Sequence, residues 1–480
     1  GMNPDAVTFV CCIKSCTNLG NIVQGLELHA EIARKGLERD LLLASMLVDM
    51  YAKCGLLFEA EEVFNKLPVR GIIAWNVLIS AYVEHKYNEK AITYFDKMQL
   101  EGILPNAAIY VSILKACSYL GALDKGQELH NDIRARGSLE TDLFIKYSLI
   151  DMFAKTGFIV KARELFDELP VQTVIAWTSL IDGYVEHGYQ DRALNCFEKM
   201  RSRGVNADSI TYVCGLKACS DLSSLGTGQD IHKDSCIEGF DRDIFISSAL
   251  VDMYAKSGLM ADARDVFDEL SVQDVVSWTA LIAGYVEHGF NVEALKTFNE
   301  MRMEEVNPNL VTYICCLKAC SNLQSLDEGW IIHAEVVKEG MEVDLFIGNT
   351  LVDLYAKCGC LNDACFAFNR FPGRDVVMWN AMIFAYAERC EHEDALRLFV
   401  QMRSYPDNTT WVSLLKSLAC FEALGWGRMI HSMILESSSK EDPLVYNTLV
   451  SMYVRCGNLH DAQTMFNKLS SPTVVTWSAM

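Results

Sequence analysis

Two short phrases carry the residue types of a metal hydrolase. His29-Ala30-Glu31 and His333-Ala334-Glu335 each place an imidazole and a carboxylate at H-x-E spacing, half of a zinc deaminase signature. The other half needs two cysteines at C-x-x-C spacing, and none of the 18 cysteines stands three residues from another. The two histidines also belong to a series, His29, His130, His232, His333 and His431, that returns once per long period of the chain. Side chains so far apart in a repeating chain cannot share an ion, so they read as structural. His85, His187 and His288 form a second series near a helix end, where positive character suits the helix dipole. No phosphate-binding glycine loop and no nucleophile elbow occurs. Neither a catalytic residue nor a metal or cofactor is expected.

Other polar residues say more. The stretch beginning at Trp75 returns at Trp177, Trp278 and Trp379, after 102, 101 and 101 residues. A fixed period has to be resolved before any other feature is interpreted. The long period divides into three units. The first type covers 6–40, 107–142, 209–243, 310–344 and 408–442. The second, shorter type covers 41–71, 143–173, 244–274, 345–375 and 443–473. The third covers 72–106, 174–208, 275–309 and 376–407. That makes fourteen units. Residues 1–5 and 474–480 read as the end of one further unit and the start of another, so a longer array is expected.

Two positions vary on this nearly constant frame, the fifth residue and the last. In the third unit type the pairs are Asn76/Asn106, Thr178/Asp208, Thr279/Asn309 and Asn380/Asp407. In the second they are Ser45/Gly71, Tyr147/Thr173, Ser248/Asp274, Asn349/Asp375 and Asn447/Thr473. A hydrogen-bonding pair that changes from repeat to repeat is what reading one RNA base per repeat requires. The competing reading is helix capping by Asp, Asn, Ser and Thr. Capping explains the residue types but not the changes at the fifth position. The aromatic residue at position four, such as Trp75 or Tyr110, is assigned to packing rather than base stacking.

Each unit reads as two helices. In 244–274, Ala249, Leu250, Met253 and Tyr254 lie at helical spacing, Gly258 breaks the pattern, and Ala263, Val266, Phe267 and Leu270 resume it. All nine prolines fall at or near unit boundaries, as a helix interior would demand. One helix pair cannot bury its apolar stripe alone, but stacked pairs can, and an all-α solenoid follows. The apolar content of 51% agrees. No run of eighteen apolar residues occurs, so no membrane span is expected. Cys16, Cys117, Cys219 and Cys320 share one repeat position, and Cys54, Cys358 and Cys456 share another that Thr156 and Ser257 also fill. Such exchange indicates packing and a reducing compartment.

The net charge of −21 argues against a nucleic-acid partner and favours a protein-binding scaffold of the tetratricopeptide kind. The distribution of charge argues the other way. Lys53, Lys155, Lys256, Lys357 and Arg455 recur at position 13 of the second unit. Lys14, Lys115, Lys217, Lys318 and Lys416 recur at position 9 of the first. Basic rows are expected, interrupted by Glu84, Glu186, Glu287 and Glu388 at position 13 of the third unit.

The phrases Leu250-Val251-Asp252-Met253-Tyr254-Ala255-Lys256-Ser257-Gly258, Leu317-Lys318-Ala319-Cys320 and Val276-Ser277-Trp278-Thr279-Ala280-Leu281-Ile282 resemble the pentatricopeptide repeat family, in its plant organelle PLS class. The resemblance spans the whole chain and equates the three unit types with L, S and P motifs. It implies a right-handed superhelix of helix-turn-helix repeats that binds single-stranded RNA in a mitochondrion or chloroplast. It also implies selection of cytidines for C-to-U editing, with L motifs engaging editing-factor proteins. The E-type and DYW extensions usual in the class are absent, so deamination would lie beyond Met480 or in a partner. Val376–Asp407 is three residues short and Leu418 replaces the usual cysteine of the last L motif.

Hydrogen bonding adds a code to that resemblance. G and U offer a ring N–H, whereas A and C offer a ring nitrogen lone pair. A last-position Asp only accepts and suits G or U, while an Asn amide can donate and suits A or C. The family associates Thr or Ser at position five with purines and Asn with pyrimidines. Thr178/Asp208 and Ser248/Asp274 then specify G, Thr279/Asn309 specifies A, and Asn349/Asp375 and Asn380/Asp407 specify U. Asn76/Asn106 specifies a pyrimidine with C preferred, and Asn447/Thr473 a pyrimidine. Tyr147/Thr173 and Ser45/Gly71 give no reading. Val10, Val111, Val213, Ile314 and Val412 at position five of the L motifs cannot discriminate. Ile175, Val276 and Val377 at position two take the place of the family's wedge between bases. With N to C read as 5′ to 3′, Thr178 to Asp407 gives G-N-G-A-N-U-U.

Overall fold

Helices short enough to span one unit, separated by glycine or polar turns, leave no long strand to form. The computed structural model describes residues 5–37, 40–67, 69–137, 139–240, 242–371, 373–389, 391–402, 406–420, 423–437, 442–468 and 477–478. Among these residues it is all-α, with 28 α-helices, one 3-10 turn at Met341–Val343 and no strand.

The chain forms two compact units, residues 1–246 and 247–480, divided within the helix Ile244–Lys256. The first contains helix pairs from Ala6–Leu19 with Ile22–Arg34 to Ser209–Leu222 with Leu225–Ile237. The first helix of each pair packs on the first helices before and after it. The second helix lies on its own partner and on the next first helix. Within the second unit, helix pairs up to Pro443–Arg455 with Leu459–Lys468 stack in the same manner. In each unit the first helices pack side by side, and most of the apolar side chains are buried between neighbouring helices. This is the arrangement that makes single pairs unstable and arrays stable.

Aromatic packing fixes the start of each P helix. In the first unit, Trp75 and Trp177 meet Phe64 and Phe166 edge-on, with ring centroids 4.7 and 4.5 Å apart. In the second, Trp278 and Trp379 meet Phe267 and Phe368 at 4.5 and 4.8 Å. Each phenylalanine belongs to the second helix of the preceding pair. The indoles are buried, so position four packs, as expected, and offers no ladder for stacking bases. The cysteines Cys16, Cys117 and Cys219 of the first unit and Cys320 of the second are buried as free thiols on first helices. Among the described residues, no helix is long and apolar enough to cross a membrane.

First helices approach most closely where small residues face each other. A Cβ built on Gly183 would stand 2.4 Å from the Cβ of Ala154 and 3.0 Å from its Cα. Ala154 lies on the neighbouring helix Leu143–Lys155, and its backbone cannot step aside. Gly183→Ala should therefore destabilise the first unit despite the roughly 1 kcal/mol that alanine gains in helix propensity. A net loss of about 1–2 kcal/mol is expected, since overpacking costs about 1–3 kcal/mol. Urea unfolding that showed Gly183→Ala as stable as the parent would contradict this packing.

Candidate nucleic-acid interface

The variable positions lie where one unit ends and the next first helix begins. At that junction three or four backbone N–H groups lack intrahelical partners, and a side-chain oxygen is wanted. L motifs end in a constant aspartate. Asp40 Oδ1 accepts from the N–H groups of Leu42 and Leu43, both at 3.0 Å, and Asp344 Oδ1 from Phe346 and Ile347 at 2.9 and 3.2 Å.

The variable ends cap differently. Asn106, Asp208, Asp274, Asn309, Asp375 and Asp407 each use Oδ1 to accept the N–H three residues on. The donors Ile109, Thr211, Ser277, Thr312, Met378 and Thr410 stand at 3.0, 2.9, 2.9, 2.9, 2.9 and 2.9 Å. One oxygen is spent on the helix. The second terminal atom differs: Nδ2, a donor, in Asn106 and Asn309, but Oδ2, an acceptor, in the aspartates. Capping and base reading were set against each other as alternatives. In this geometry a single residue has an atom for each.

Position five lies beside that residue in four pairs. Asn349 Nδ2 donates to Asp375 Oδ2 at 2.8 Å, and Asn380 Nδ2 to Asp407 Oδ1 at 2.9 Å. Thr178 and Thr279 reach their partners through a third residue. Thr178 Oγ1 lies 2.6 Å from Thr211 Oγ1, which lies 2.6 Å from Asp208 Oδ1. Thr279 Oγ1 lies 2.7 Å from Thr312 Oγ1, which lies 3.0 Å from Asn309 Oδ1. Thr410 Oγ1 donates to Asn380 Oδ1 at 2.6 Å. These threonines were not picked out from the sequence. The available signal was an Asp or Asn followed three residues later by Thr, a capping spacing.

Among the described residues, the pairs Ser45/Gly71, Asn76/Asn106, Tyr147/Thr173 and Ser248/Asp274 show no such hydrogen bond. Ser45 is buried with its hydroxyl donating to the Leu41 carbonyl at 2.7 Å, and Gly71 has no side chain to offer. The Thr173 hydroxyl is buried without a partner, and the neighbouring Tyr147 is half-buried. Ser248 Oγ and Asn76 Oδ1 are buried and unpaired as well. Thr473 lies outside the described residues.

Position two is exposed. Ile175, Val276 and Val377 are 51%, 57% and 60% accessible. The series also includes Phe144, Phe245 and Phe346 of the S motifs, which the sequence reading passed over. In the second unit, a groove of about 510 Å³ collects position two (Leu444), position five (Asn447), Lys416, Glu388 and Arg455. Position five, the apolar position two and charged side chains of the rows therefore share one face there.

The charged rows need correction. Lys53, Lys155, Lys256 and Lys357 are not free cations. Each pairs with an aspartate one turn earlier: Asp49 at 2.9 Å, Asp151 at 3.0 Å, Asp252 at 3.0 Å and Asp353 at 2.9 Å. The sequence reading counted the lysines and overlooked aspartates that helical i,i+4 spacing brings against them. Ser451 takes that place before Arg455, so Arg455 lacks the acid. The L-motif lysines Lys14, Lys115, Lys217, Lys318 and Lys416 are exposed and form no ion pair among the described residues.

The histidines are structural, as read. Nδ1 of His29 and of His333 shares a hydrogen bond with the hydroxyl of Tyr51 and of Tyr355, both at 2.6 Å. Burial holds the His333 imidazole below its ordinary pKa. His85, His187 and His288 donate from Nε2 to the carbonyls of Ala52, Lys155 and Ala255, at 2.8, 3.1 and 2.9 Å. They stitch each P helix to the C-terminus of the preceding S helix, and Arg389 does the same to the Gly359 carbonyl. Among the described residues no group of acids, histidines and cysteines could hold a metal ion.

Comparison with known proteins now bears on this face. Models of the PPR repeat family match residues 70–119, 172–221 and 273–322. PPR repeat models match 44–72, 147–172, 245–275, 377–405 and 444–471. The chain belongs to the pentatricopeptide repeat family. Pentatricopeptide repeat-containing protein At4g39530 of Arabidopsis thaliana is 34% identical over 100% of the chain and 58% of its own length. Two other Arabidopsis thaliana pentatricopeptide repeat proteins, At3g02330, mitochondrial, and At5g52850, chloroplastic, are 31% and 32% identical over 100% of the chain. They are matched over 56% and 54% of their own lengths. The chain thus spans little more than half of these relatives. Among solved structures, the pentatricopeptide repeat protein PPR10 in complex with an 18-nt psaJ RNA element is similar at a TM-score of 0.59 and 18% identity. The match covers 100% of the chain and 76% of PPR10. Maize PPR10 in its own crystal structure gives 0.53, covering 99% and 76%. At that identity the likeness confirms the pentatricopeptide repeat fold and nothing finer.

Proposed function

We propose that this chain binds single-stranded RNA and reads one base per P or S motif through positions five and last. Six variable caps supply the observation that carries this. Each spends Oδ1 on its own helix, and the second atom is a donor in Asn and an acceptor in Asp; among the described residues it has no protein partner in five of the six, and in Asp375 it accepts from Asn349. A capping role alone would favour neither atom. Exposed apolar residues at position two and the unpaired L-motif lysines suit base edges and phosphates. The mitochondrial and chloroplastic relatives support an organellar location. The PLS-type unit order supports a role in specifying C-to-U editing sites, with editing-factor proteins as partners of the L motifs.

A titration of labelled RNA containing G-N-G-A-N-U-U, against one with the G, A and U positions exchanged, tests this reading. Anisotropy at two salt concentrations should show preference for the first RNA and weaker binding of both at the higher salt. Equal binding to both would refute base reading. Binding to neither at low salt would favour the protein scaffold, to which the charge of −21 is better suited.

A further inference from the structure

The groove of about 510 Å³ in the second unit departs from the other junctions. It runs over three consecutive first helices, Val376–Glu388, Asn408–Cys420 and Pro443–Arg455. Its volume falls within the roughly 300–1,000 Å³ of small-ligand sites. Two lining residues, Ala419 and Ser451, explain why it is open. At other junctions a serine of the L helix donates to an aspartate of the S helix. Ser118 donates to Asp151 at 3.1 Å in the first unit, and Ser321 to Asp353 at 2.6 Å in the second. Ala419 and Ser451 stand at those two places with shorter side chains and no carboxylate.

Phe384 is the other departure. It is position nine of its P motif, where Ser80, Asp182 and Ala283 stand in the others. In the first unit that position meets a polar atom of the following L helix. Ser80 Oγ lies 3.1 Å from Ser112 Oγ, and Cys214 Sγ lies 3.5 Å from Asp182 Oδ1. Phe384 instead lines the groove, half-buried and without a ring contact among the described residues. Phe368 and Phe399, by contrast, lie against the indoles of Trp379 and Trp411. Lys416 and Arg455 line the same groove, against the single acid Glu388. Neither cation forms an ion pair among the described residues.

An aromatic face beside two unpaired cations suits one nucleotide, because every base has a π-face and every phosphate a negative charge. We propose that the groove seats the nucleotide opposite the L motif 408–442, its base stacked on Phe384 and its phosphate held by Lys416 and Arg455. The proposal rests on the RNA reading above and goes beyond its code, in which Val412 leaves that nucleotide unread. Stacking is indifferent to base edges. The groove therefore adds affinity at one point of the strand without adding a letter. In the register above, the nucleotide is the one that follows the second U of G-N-G-A-N-U-U.

The test removes the base and leaves the strand. Two RNAs extend G-N-G-A-N-U-U at its 3′ end and differ only in the nucleotide after the second U, adenine in one and an abasic site in the other. The parent chain should bind the first about tenfold more tightly, within the worth of one stacked base. Phe384→Ala should bring that ratio below about twofold, whereas Phe384→Tyr should keep it. An abasic site opposite the L motif 310–344, which follows the P motif with Ala283 at position nine, should cost less than about twofold in the parent and in Phe384→Ala alike. A parent chain that binds neither RNA, or binds a scrambled one as well, would refute the RNA reading and this proposal with it. Equal binding of the intact and abasic RNAs by the parent, or a ratio that survives Phe384→Ala, would overturn the proposal alone. Should Phe384→Ala fail to fold, Phe384→Leu keeps an apolar side chain without the π-face, and a full parent ratio in that variant overturns the assignment.

Discussion

Replacing Asn309 by aspartate should turn the preference of its repeat from A to G. Asn309 Oδ1 accepts the N–H of Thr312, and aspartate keeps that oxygen in place. Only the second atom changes, from an amide donor to a carboxylate acceptor. The N1 lone pair of A then faces a negative oxygen, while the N1–H of G gains a charge-assisted partner. Hydrogen bonds to charged groups are worth about 1.5–3 kcal/mol, so the A-to-G ratio should move by roughly 10- to 100-fold. Asn and Asp cap helices about equally well, so the melting temperature should stay within a degree or two of the parent. Asp208→Asn should move its own repeat from G to A by a comparable factor. Binding measured on the A and G forms of each RNA checks both. An A preference that survives Asn309→Asp would show that the last residue caps the helix and does not read.

The repeat frame was the accessible part of the sequence, because period is visible without any knowledge of contacts. Trp278 and Phe267, ten residues and more apart in different helices, meet edge-on in a pattern that the ladder of position-four aromatics already implied. The site was accessible only in outline. Position five and the last residue announced themselves by varying while Trp278 or Gly258 did not. Thr211, Thr312 and Thr410 went unnoticed because a buried polar relay depends on which atoms meet across a turn, and three of them in four places looks like ordinary helix entry. The lysines misled for a different reason. Lys256 and Lys357 were weighed one by one, whereas helical spacing sets Asp252 and Asp353 one turn away and offsets them.

That offset has a measurable consequence. Asp252→Asn with Asp353→Asn should tighten RNA binding, although the change removes nothing that faces a base. Lys256 and Lys357 are held by those carboxylates at 3.0 and 2.9 Å on a partly exposed surface. Such i,i+4 pairs contribute only about 0.3–0.5 kcal/mol each to stability, so folding should barely change. The amide oxygen introduced by Asp353→Asn would still accept the hydrogen bond that Ser321 now donates to Asp353 at 2.6 Å. Two freed ammonium groups can each neutralise a phosphate. The slope of log affinity against log salt should then steepen by about 0.7 per contact, or ~1.4 in all. At 50 mM salt relative to 200 mM, that slope corresponds to roughly a sevenfold larger gain in affinity than the parent shows. Lys217→Gln with Lys318→Gln should act in the opposite direction, because those lysines already stand unpaired. The base preferences opposite Thr178/Asp208 and Thr279/Asn309 should survive all four changes, since phosphate contacts position a strand without reading it. If the aspartate variants bound RNA with an unchanged salt slope, the first-helix face would not be the path of the phosphates, and the acidic charge of the chain would point to a protein partner.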